Sequence, residues 1–313
     1  MRALPFAQPG RFYRGNLHTH STRSDGTLEP EAVVGLYRDA GYDFLSLTDH
    51  FLPGERFGKD GVAFIDVTDT TAFDSDGFVT IPGAEIHGPA LRNGEPWHFV
   101  VVGLPLDFPR PNDAETGPEV ARRAHEAGAF VSVAHPAWYA LTLEDVRPVL
   151  PVCHAIETYN HACLGVDRAD GWYFLDELLG EGARLTAVAA DDAHFKHPLG
   201  LTRDALGGWV HVRSESLAPD ALLAALKAGA FYSSTGPELR DVRFEGDELV
   251  VTSSPVETIL ITSRGAKSQR RVEPGVTTAR FPIAEWRELG FVRVTIRDDR
   301  GGRAWTNPIW FEG

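Results

Sequence analysis

Short apolar runs separated by amphipathic stretches dominate the first three quarters of the chain. Tyr42–Leu47, Phe78–Ile81, Trp97–Leu104, Phe130–Ala134, Ala155–Thr158, Leu185–Ala190 and Trp209–Val212 have strand length and β-rich composition, and Arg14–Leu17 reads as a short strand before them. A helix is expected from an N-cap at Thr27 through Ala40, with Val33, Val34 and Tyr37 on one face and Gly41 as its stop. Further helices are expected over Pro118–Ala127, Gly171–Leu179 and Pro219–Ala228, the first and last ended by Gly128 and Gly229. Strands alternating with helices from about residue 11 to 235 predict parallel βαβ units. Seven or eight strand signals suit a barrel better than an open sheet. Pro53–Gly77 has little periodicity and is expected to be a lid or rim insertion.

The pattern changes near Gly236-Pro237. Beyond it, short runs alternate polar and apolar residues: Val242–Phe244, Glu248–Thr252, Thr258–Thr262 and Phe291–Ile296. Turn signals separate them at Glu245-Gly246-Asp247, Pro274-Gly275 and Gly301-Gly302. The expected division is therefore a barrel over residues 1–237 and a small antiparallel, sandwich-like β domain over 238–313. The second part carries no cluster of ligand-type residues. It is expected to stabilise the barrel or to pair it with a second copy.

Chemistry concentrates at the strand ends. His18-Thr19-His20 follows the first strand, with Asp25 close behind. In an extended segment His18 and His20 face the same side. A lone His-x-His is ordinarily a polar loop, but here comparable residues recur. His50 and Glu85 follow the next two strands, and His98 opens the Trp97–Leu104 run. His135 follows Phe130–Ala134, and Asp192 and His194 follow Leu185–Ala190. Six imidazoles and three carboxylates suit zinc, manganese or iron rather than calcium or a thiolate-bound metal. Only a site for several ions needs nine ligands. The three carboxylates carry −3, so three divalent ions would leave +3, an attractor for a phosphate oxyanion, and two would leave +1. Without cations the gathered carboxylates would repel one another at considerable cost.

Composition narrows the classes. The chain has 313 residues, enough for a full core and beyond the usual single domain unless the fold is a barrel. Its net charge of −14 repels a phosphate backbone and argues against extended nucleic-acid binding. No apolar run has membrane-spanning length, and the N-terminal stretch lacks the apolar segment of a secretory signal. Cys153 and Cys163 are too few for a disulfide framework and read as free thiols in a reducing cytoplasm.

Together the motifs resemble the PHP superfamily, named for polymerase and histidinol phosphatase, and within it the stand-alone branch that includes the carbaryl hydrolases. The resemblance spans roughly residues 11–237. It rests on His18-Thr19-His20 with Ser24-Asp25-Gly26, Thr48-Asp49-His50, Pro82-Gly83-Ala84-Glu85, His98 before Phe-Val-Val-Val-Gly, Ala134-His135-Pro136 and Asp192-Ala193-His194. Ala224–Pro237 and the segment Ala304–Trp310 also resemble that branch. It implies a distorted (β/α)7, TIM-like barrel with two to three divalent ions. His18, His20, Glu85 and Asp192 would hold one ion. Glu85, as a bridge, would hold the second with His98 and His135. Asp25, His50 and His194 would hold the third, Asp25 standing where many relatives have histidine. His98 is preferred over nearby His87 as the ligand because the apolar strand after it matches the family, and His87, like His197, reads equally as a support for the ligands or a substrate contact.

The expected activity is hydrolysis of small phosphate esters through a metal-bridging hydroxide, with Glu85, Asp192 and His194 at the catalytic centre. The alternative is carbamate, amide or ester hydrolysis on the same site. Arg23, His197 and Asn160 are the candidate substrate contacts. Lys196 is either a phosphate-binding cation or solvent-facing, and Glu157 is readable equally as a site residue or a buried structural acid. Asp49 is expected to orient a ligand histidine. His125 is expected to be exposed, and His154, His161 and His211 to be structural.

Overall fold

The computed structural model describes residues 4–52, 66–200 and 202–311. Its strands are β1 (Arg11–Asn16), β2 (Phe44–Leu45), β3 (His50–Phe51), β4 (Val79–Thr80), β5 (Gly83–Ala90), β6 (Pro96–Val102), β7 (Phe130–Val133), β8 (Ala155–Asn160), β9 (Thr186–Ala190), β10 (Trp209–Ser214) and β11 (Phe231–Ser234). They continue with β12 (Leu239–Glu245), β13 (Glu248–Thr262), β14 (Ser268–Pro282), β15 (Phe291–Arg297), β16 (Arg303–Thr306) and β17 (Ile309–Trp310). The helices are α1 (Pro30–Asp39), α2 (Gly117–Glu126), α3 (Leu143–Val146), α4 (Trp172–Gly180) and α5 (Pro219–Lys227).

Proline in the first turn sets the starts of α1, α2 and α5, where a missing N–H costs nothing. This displaces the expected N-cap of α1: Pro30 makes Glu29 the cap, and the Thr27 hydroxyl instead donates to the Phe195 carbonyl at 2.7 Å. The α1 face of Val33, Val34 and Tyr37 is buried as its spacing predicts, and Gly41 follows with φ +78°. Thr116 and Glu119 form a capping box on α2, a start signal that the proline had obscured in the sequence.

Two sheets result. One has eleven strands, ordered β12-β13-β15-β16-β11-β10-β1-β2-β4, with β14 on β13 and β17 on β15. The other has six, ordered β3-β5-β6-β7-β8-β9. The expectation of uniformly parallel βαβ units is corrected: β1·β10, β5·β6, β6·β7 and β10·β11 are antiparallel. For β5 and β6 the reason is the link of residues 91–95, turned at Gly94 with φ +89°, which is too short for a crossover.

The expected closed barrel is also absent among the described residues, because the two ladders remain separate. The chain passes from the larger sheet to the smaller between β2 and β3, and again at Ile81-Pro82 between β4 and β5. Isolated backbone bonds stitch the sheets together: Asp192 N to His18 O at 2.8 Å, His20 N to Ala193 O at 2.9 Å, Thr48 N to Thr19 O at 2.9 Å and Glu85 N to Thr48 O at 3.1 Å. A core cluster including Leu17, Phe44, Val100, Phe130, Val188 and Phe231 draws on both sheets, and Leu222 and Leu226 of α5 join it. The expected insertion over Pro53–Gly77 lies partly outside the described residues; from Asp66 on it includes a short 3-10 turn, Thr71–Phe73.

The C-terminal strands are antiparallel, as their alternation predicts, and pack Leu249, Ile259, Phe281, Trp286 and Ile296 into one cluster. Their ladder is continuous with the larger sheet through β16·β11. Trp305 is fully buried against Trp172, with ring centroids 5.6 Å apart. Arg293 donates to both oxygens of Asp176 on α4, at 3.1 and 2.7 Å. Among the described residues, no helix is long and apolar enough to cross a membrane.

Candidate metal centre

The stitched seam between the sheets is where the candidate residues converge. The backbone bonds from Asp192 and His20 hold the extension of β1 beside the turn after β9, and this brings His18 and His20 against Asp192. His20 Nε2 donates to Asp192 Oδ1 at 3.0 Å, and His18 Nε2 lies 3.2 Å from the same oxygen. Glu85 is the third residue of β5 rather than a residue beyond a strand end, which corrects its expected placement. From there its carboxylate reaches inward: Oε1 accepts from His98 Nδ1 at 2.7 Å and from His135 Nε2 at 3.1 Å. Its Oε2 lies 2.6 Å from His50 Nδ1 and 3.5 Å from both His18 Nε2 and His20 Nε2. Asp25 Oδ1 lies 3.3 Å from His50 Nε2 and 3.2 Å from His194 Nε2.

All nine candidates are thus gathered, in overlapping groups of potential donors. One is His18, His20, Glu85 and Asp192; another is Glu85, His98 and His135; a third is His20, Asp25, His50 and His194. A fourth group, His50, Glu85 and His87, includes a residue that the sequence reading ranked below His98 as a ligand. Its signal was available, because Glu85 and His87 alternate along one strand and so share a face, as His18 and His20 do. His87 is also the direct cross-strand partner of His98, with ring centroids 4.0 Å apart.

Several groups outside these donors fix them. The two oxygens of buried Glu157 accept from His18 Nδ1 at 3.0 Å and from the His135 N–H at 2.7 Å. The His194 Nδ1 donates to the Asp192 carbonyl at 2.8 Å, which leaves Nε2 to face Asp25. Among the described residues, the Asp49 carboxylate is bonded to hydroxyls and a backbone N–H rather than to a candidate histidine. It accepts from Ser21 N–H at 2.7 Å, Ser21 Oγ at 2.8 Å and Ser24 Oγ at 2.7 Å, so it acts on the loop that carries His20 and Asp25. Two donors have strained backbones: His135 at φ 20° and Asp192 at φ 58° occupy conformations rare for side-chain-bearing residues.

The candidate substrate contacts differ in burial. Asn160 is buried, its amide donating to Glu157 at 2.9 Å and to Asp192 at 3.1 Å while its carbonyl oxygen accepts from Cys163 N. Arg23 is exposed on the Asp25 loop, and His197 is half-buried in a turn where its Nδ1 accepts from Leu199 N. Lys196 donates to Asp25 Oδ2 at 2.7 Å, so it faces a carboxylate. Away from the cluster, His154 accepts from Val131 N, His161 bonds Tyr159, and His211 accepts from Trp209 Nε1. His125 is exposed on α2 and donates to the Val152 carbonyl.

The electrostatics identify what the cluster would bind. Burial works to raise Glu85, but His50, His98 and His18 outweigh it and hold its carboxyl well below the usual range. Asp192 and Asp25 are likewise held low against their burial, by His18 and His194 respectively before other imidazoles. Conversely, burial would lower His50, yet Glu85 and Asp25 raise it to about 10. Against burial, His18 is raised by Asp192, Glu157 and Glu85, His135 by Glu85 and Asp192, and His194 by Asp25 and Asp192, whereas burial, His194 and His50 push His20 down to about 3. The carboxylates thus favour positive charge on the imidazoles beside them. The buried atoms Asp25 Oδ1, Glu85 Oε2, His18 Nε2 and His135 Nδ1 have no hydrogen-bond partner. Unsatisfied Asp25, Glu85 and His18 atoms, in a set of imidazoles and carboxylates, fit divalent transition-metal ions.

No family model matches the chain, and no curated protein matches it in sequence. Among solved structures, it aligns over 98% of its length with 99% of a Bacteroides vulgatus chain, a two-domain protein containing a predicted PHP-like metal-dependent phosphoesterase, at a TM-score of 0.55 and 16% identity. This is a likeness of fold. Partial alignments cover 60% of this chain and 90% of a Bifidobacterium adolescentis protein assigned as a metal-dependent phosphoesterase (TM-score 0.43, 16% identity). They also cover 57% of this chain and 87% of an amidohydrolase from Chromobacterium violaceum (TM-score 0.42, 15% identity). The fold likeness rests on the first alone.

Proposed function

We propose that the chain is a PHP-like metal-dependent phosphoesterase that hydrolyses small phosphate esters. The observation that carries this reading is the sharing of Glu85 between two fully buried donor groups, with the Asp25, His50 and His194 group beside them, an arrangement suited to neighbouring ions acting on one substrate. In this reading His18, His20, Glu85 and Asp192 hold one ion, Glu85, His98 and His135 a second, and Asp25, His50 and His194 a third. Bound ions of the manganese, zinc or iron type would supply an acidified water and the positive charge that a transferring phosphoryl group needs. Glu85, Asp192 and His194 line the reaction centre. Glu157 keeps His18 turned toward the site, and Asn160 holds Asp192 in its strained turn. Arg23 and His197, at the rim, receive the anionic substrate. Residues 1–237 carry the site on strands of both sheets, and residues 238–313 serve as the β domain that extends the larger sheet. The carbaryl-hydrolase-like branch and a cytoplasmic location complete the reading.

Hydrolysis of a neutral carbamate, amide or ester is the second reading. Trp138 favours it: this ring is 43% exposed and lies 5.3 Å from the His135 ring and 5.6 Å from that of His98, an apolar surface beside the proposed centre. The test compares phosphate release from small phosphomonoesters with phenol release from aryl carbamates and esters, after metal removal and after manganese or zinc is restored. Metal-dependent phosphate release is expected. Carbamate or ester turnover without phosphate release overturns the first reading in favour of the second.

A further inference from the structure

His50 is placed between two donor groups, with one ring nitrogen toward each. Its Nε2 lies 3.3 Å from Asp25 Oδ1, on the side of His194. Its Nδ1 lies 2.6 Å from Glu85 Oε2 and 2.9 Å from His87 Nε2. The third edge of that second triangle, His87 Nε2 to Glu85 Oε2, is 3.9 Å. Glu85 Oε2 is fully buried without a hydrogen-bond partner and is aimed into this triangle. His87 is itself buried, and cross-strand pairing with His98 anchors its backbone.

From this geometry we infer that His87, His50 and Glu85 form an additional transition-metal position, which competes with the Asp25–His194 group for His50. The inference rests on the cation-binding reading above. A neutral imidazole has one free lone pair. His50 therefore serves one position at a time, through Nε2 toward Asp25 or through Nδ1 toward His87. Two imidazoles and a carboxylate give the new position the donor composition of a zinc, manganese or iron site, with room for further ligands. The two positions act as alternates for one ion. Each can hold it when the other is disabled.

The test is ion stoichiometry, measured by equilibrium dialysis and elemental analysis on the full chain stripped with chelator and reloaded with zinc, then separately with manganese. The variants are D25N, H87F and the double variant D25N/H87F. H87N replaces H87F if circular dichroism shows that the larger side chain disturbs the fold. Each single variant is expected to keep the wild-type number of ions, because the ion moves to the alternate position. The double variant is expected to hold one ion fewer. Loss of that ion in D25N alone, or an unchanged count in the double variant, overturns the inference and leaves the other groups untouched. Wild-type protein that binds no ion overturns the cation-binding reading itself.

Discussion

Glu157 accepts a hydrogen bond from His18 Nδ1 at 3.0 Å, and this contact turns the opposite nitrogen of His18 toward Glu85 and Asp192. A carboxylate behind a donor histidine fixes its tautomer and raises its basicity. Glu157→Gln preserves shape but offers its amide N–H₂ or a weaker acceptor. Metal affinity is expected to fall about 10- to 100-fold, with folding retained. Titration with zinc against a competing chelator measures the change.

Glu85→Gln should have a larger effect, because this carboxylate meets His98, His135 and His50 and approaches His18 and His20. At least two ions should be lost together, and turnover of whichever substrate is identified should drop more than 100-fold, beyond the range of an outer contact. Elemental analysis beside the rate measurement checks both parts.

Metal loading should release protons. His50 is raised to about 10 by Glu85 and Asp25, so at neutral pH it carries a proton in the cation-free cluster, and His18, His135 and His194 are shifted in the same direction. An arriving cation must displace those protons. Affinity is therefore expected to increase as pH rises from neutrality toward 10. Calorimetry in two buffers of different ionisation enthalpy counts the protons released, and a buffer-independent heat would contradict the protonated cluster.

Stability should carry a separate pH signature from His211, far from the cluster. Burial first, and Arg14 second, lower this imidazole from 6.5 to about 3. Arg14 is its cross-strand partner, stacked on Tyr42 and Trp209. The folded state refuses a proton that the unfolded chain accepts below about pH 6.5. The stabilisation is complete above that pH and declines as pH falls toward 3. Between pH 7.5 and 5 wild type should lose about 2 kcal/mol more than His211→Gln, which keeps an acceptor for Trp209. Urea unfolding at the two pH values measures the difference.

The C-terminal segment should be inseparable from the first part of the fold. The Asn307 side chain accepts from Ala187 N at 2.9 Å and donates to the carbonyls of Gly229 and Phe231, while Trp305 Nε1 donates to Ala187 O. Asn307→Ala strands these buried groups and is expected to cost about 1–3 kcal/mol. Trp305→Ala empties a core position at about 3–5 kcal/mol. Chain ended after Pro237 should be insoluble for the same reason, which expression followed by sedimentation tests.

What the sequence made legible follows from how local each cause is. The face of α1, the extent of α5 and the strand at His98 follow from spacing within a dozen residues. The gathering of nine donors was legible because each sits at or near the end of an apolar run. Strand direction was not: β5 and β6 reverse through a turn whose geometry depends on Gly94, while the apolar run itself reads the same either way. Glu85 was assigned to the end of a strand because Pro82-Gly83 looks like a terminator, yet the chain there changes sheets and continues. His87 was legible in principle from its alternation with Glu85. The role of Asp49 was not, since it works through Ser21 and Ser24, whose hydroxyls only the folded loop brings to it.

The contact between His20 and Asp192 spans 172 residues of chain. Closing a loop of that length is entropically slow to be rewarded, so such contacts belong to the late part of a folding reaction. Sheet pairing on either side of the seam should precede it, with the donor histidines and carboxylates still apart. Cations added to the unfolded chain would then have little to hold them and should leave the early folding phases unchanged. Added to the folded chain they should act as a latch, slowing the opening of the seam and hence the rate of unfolding.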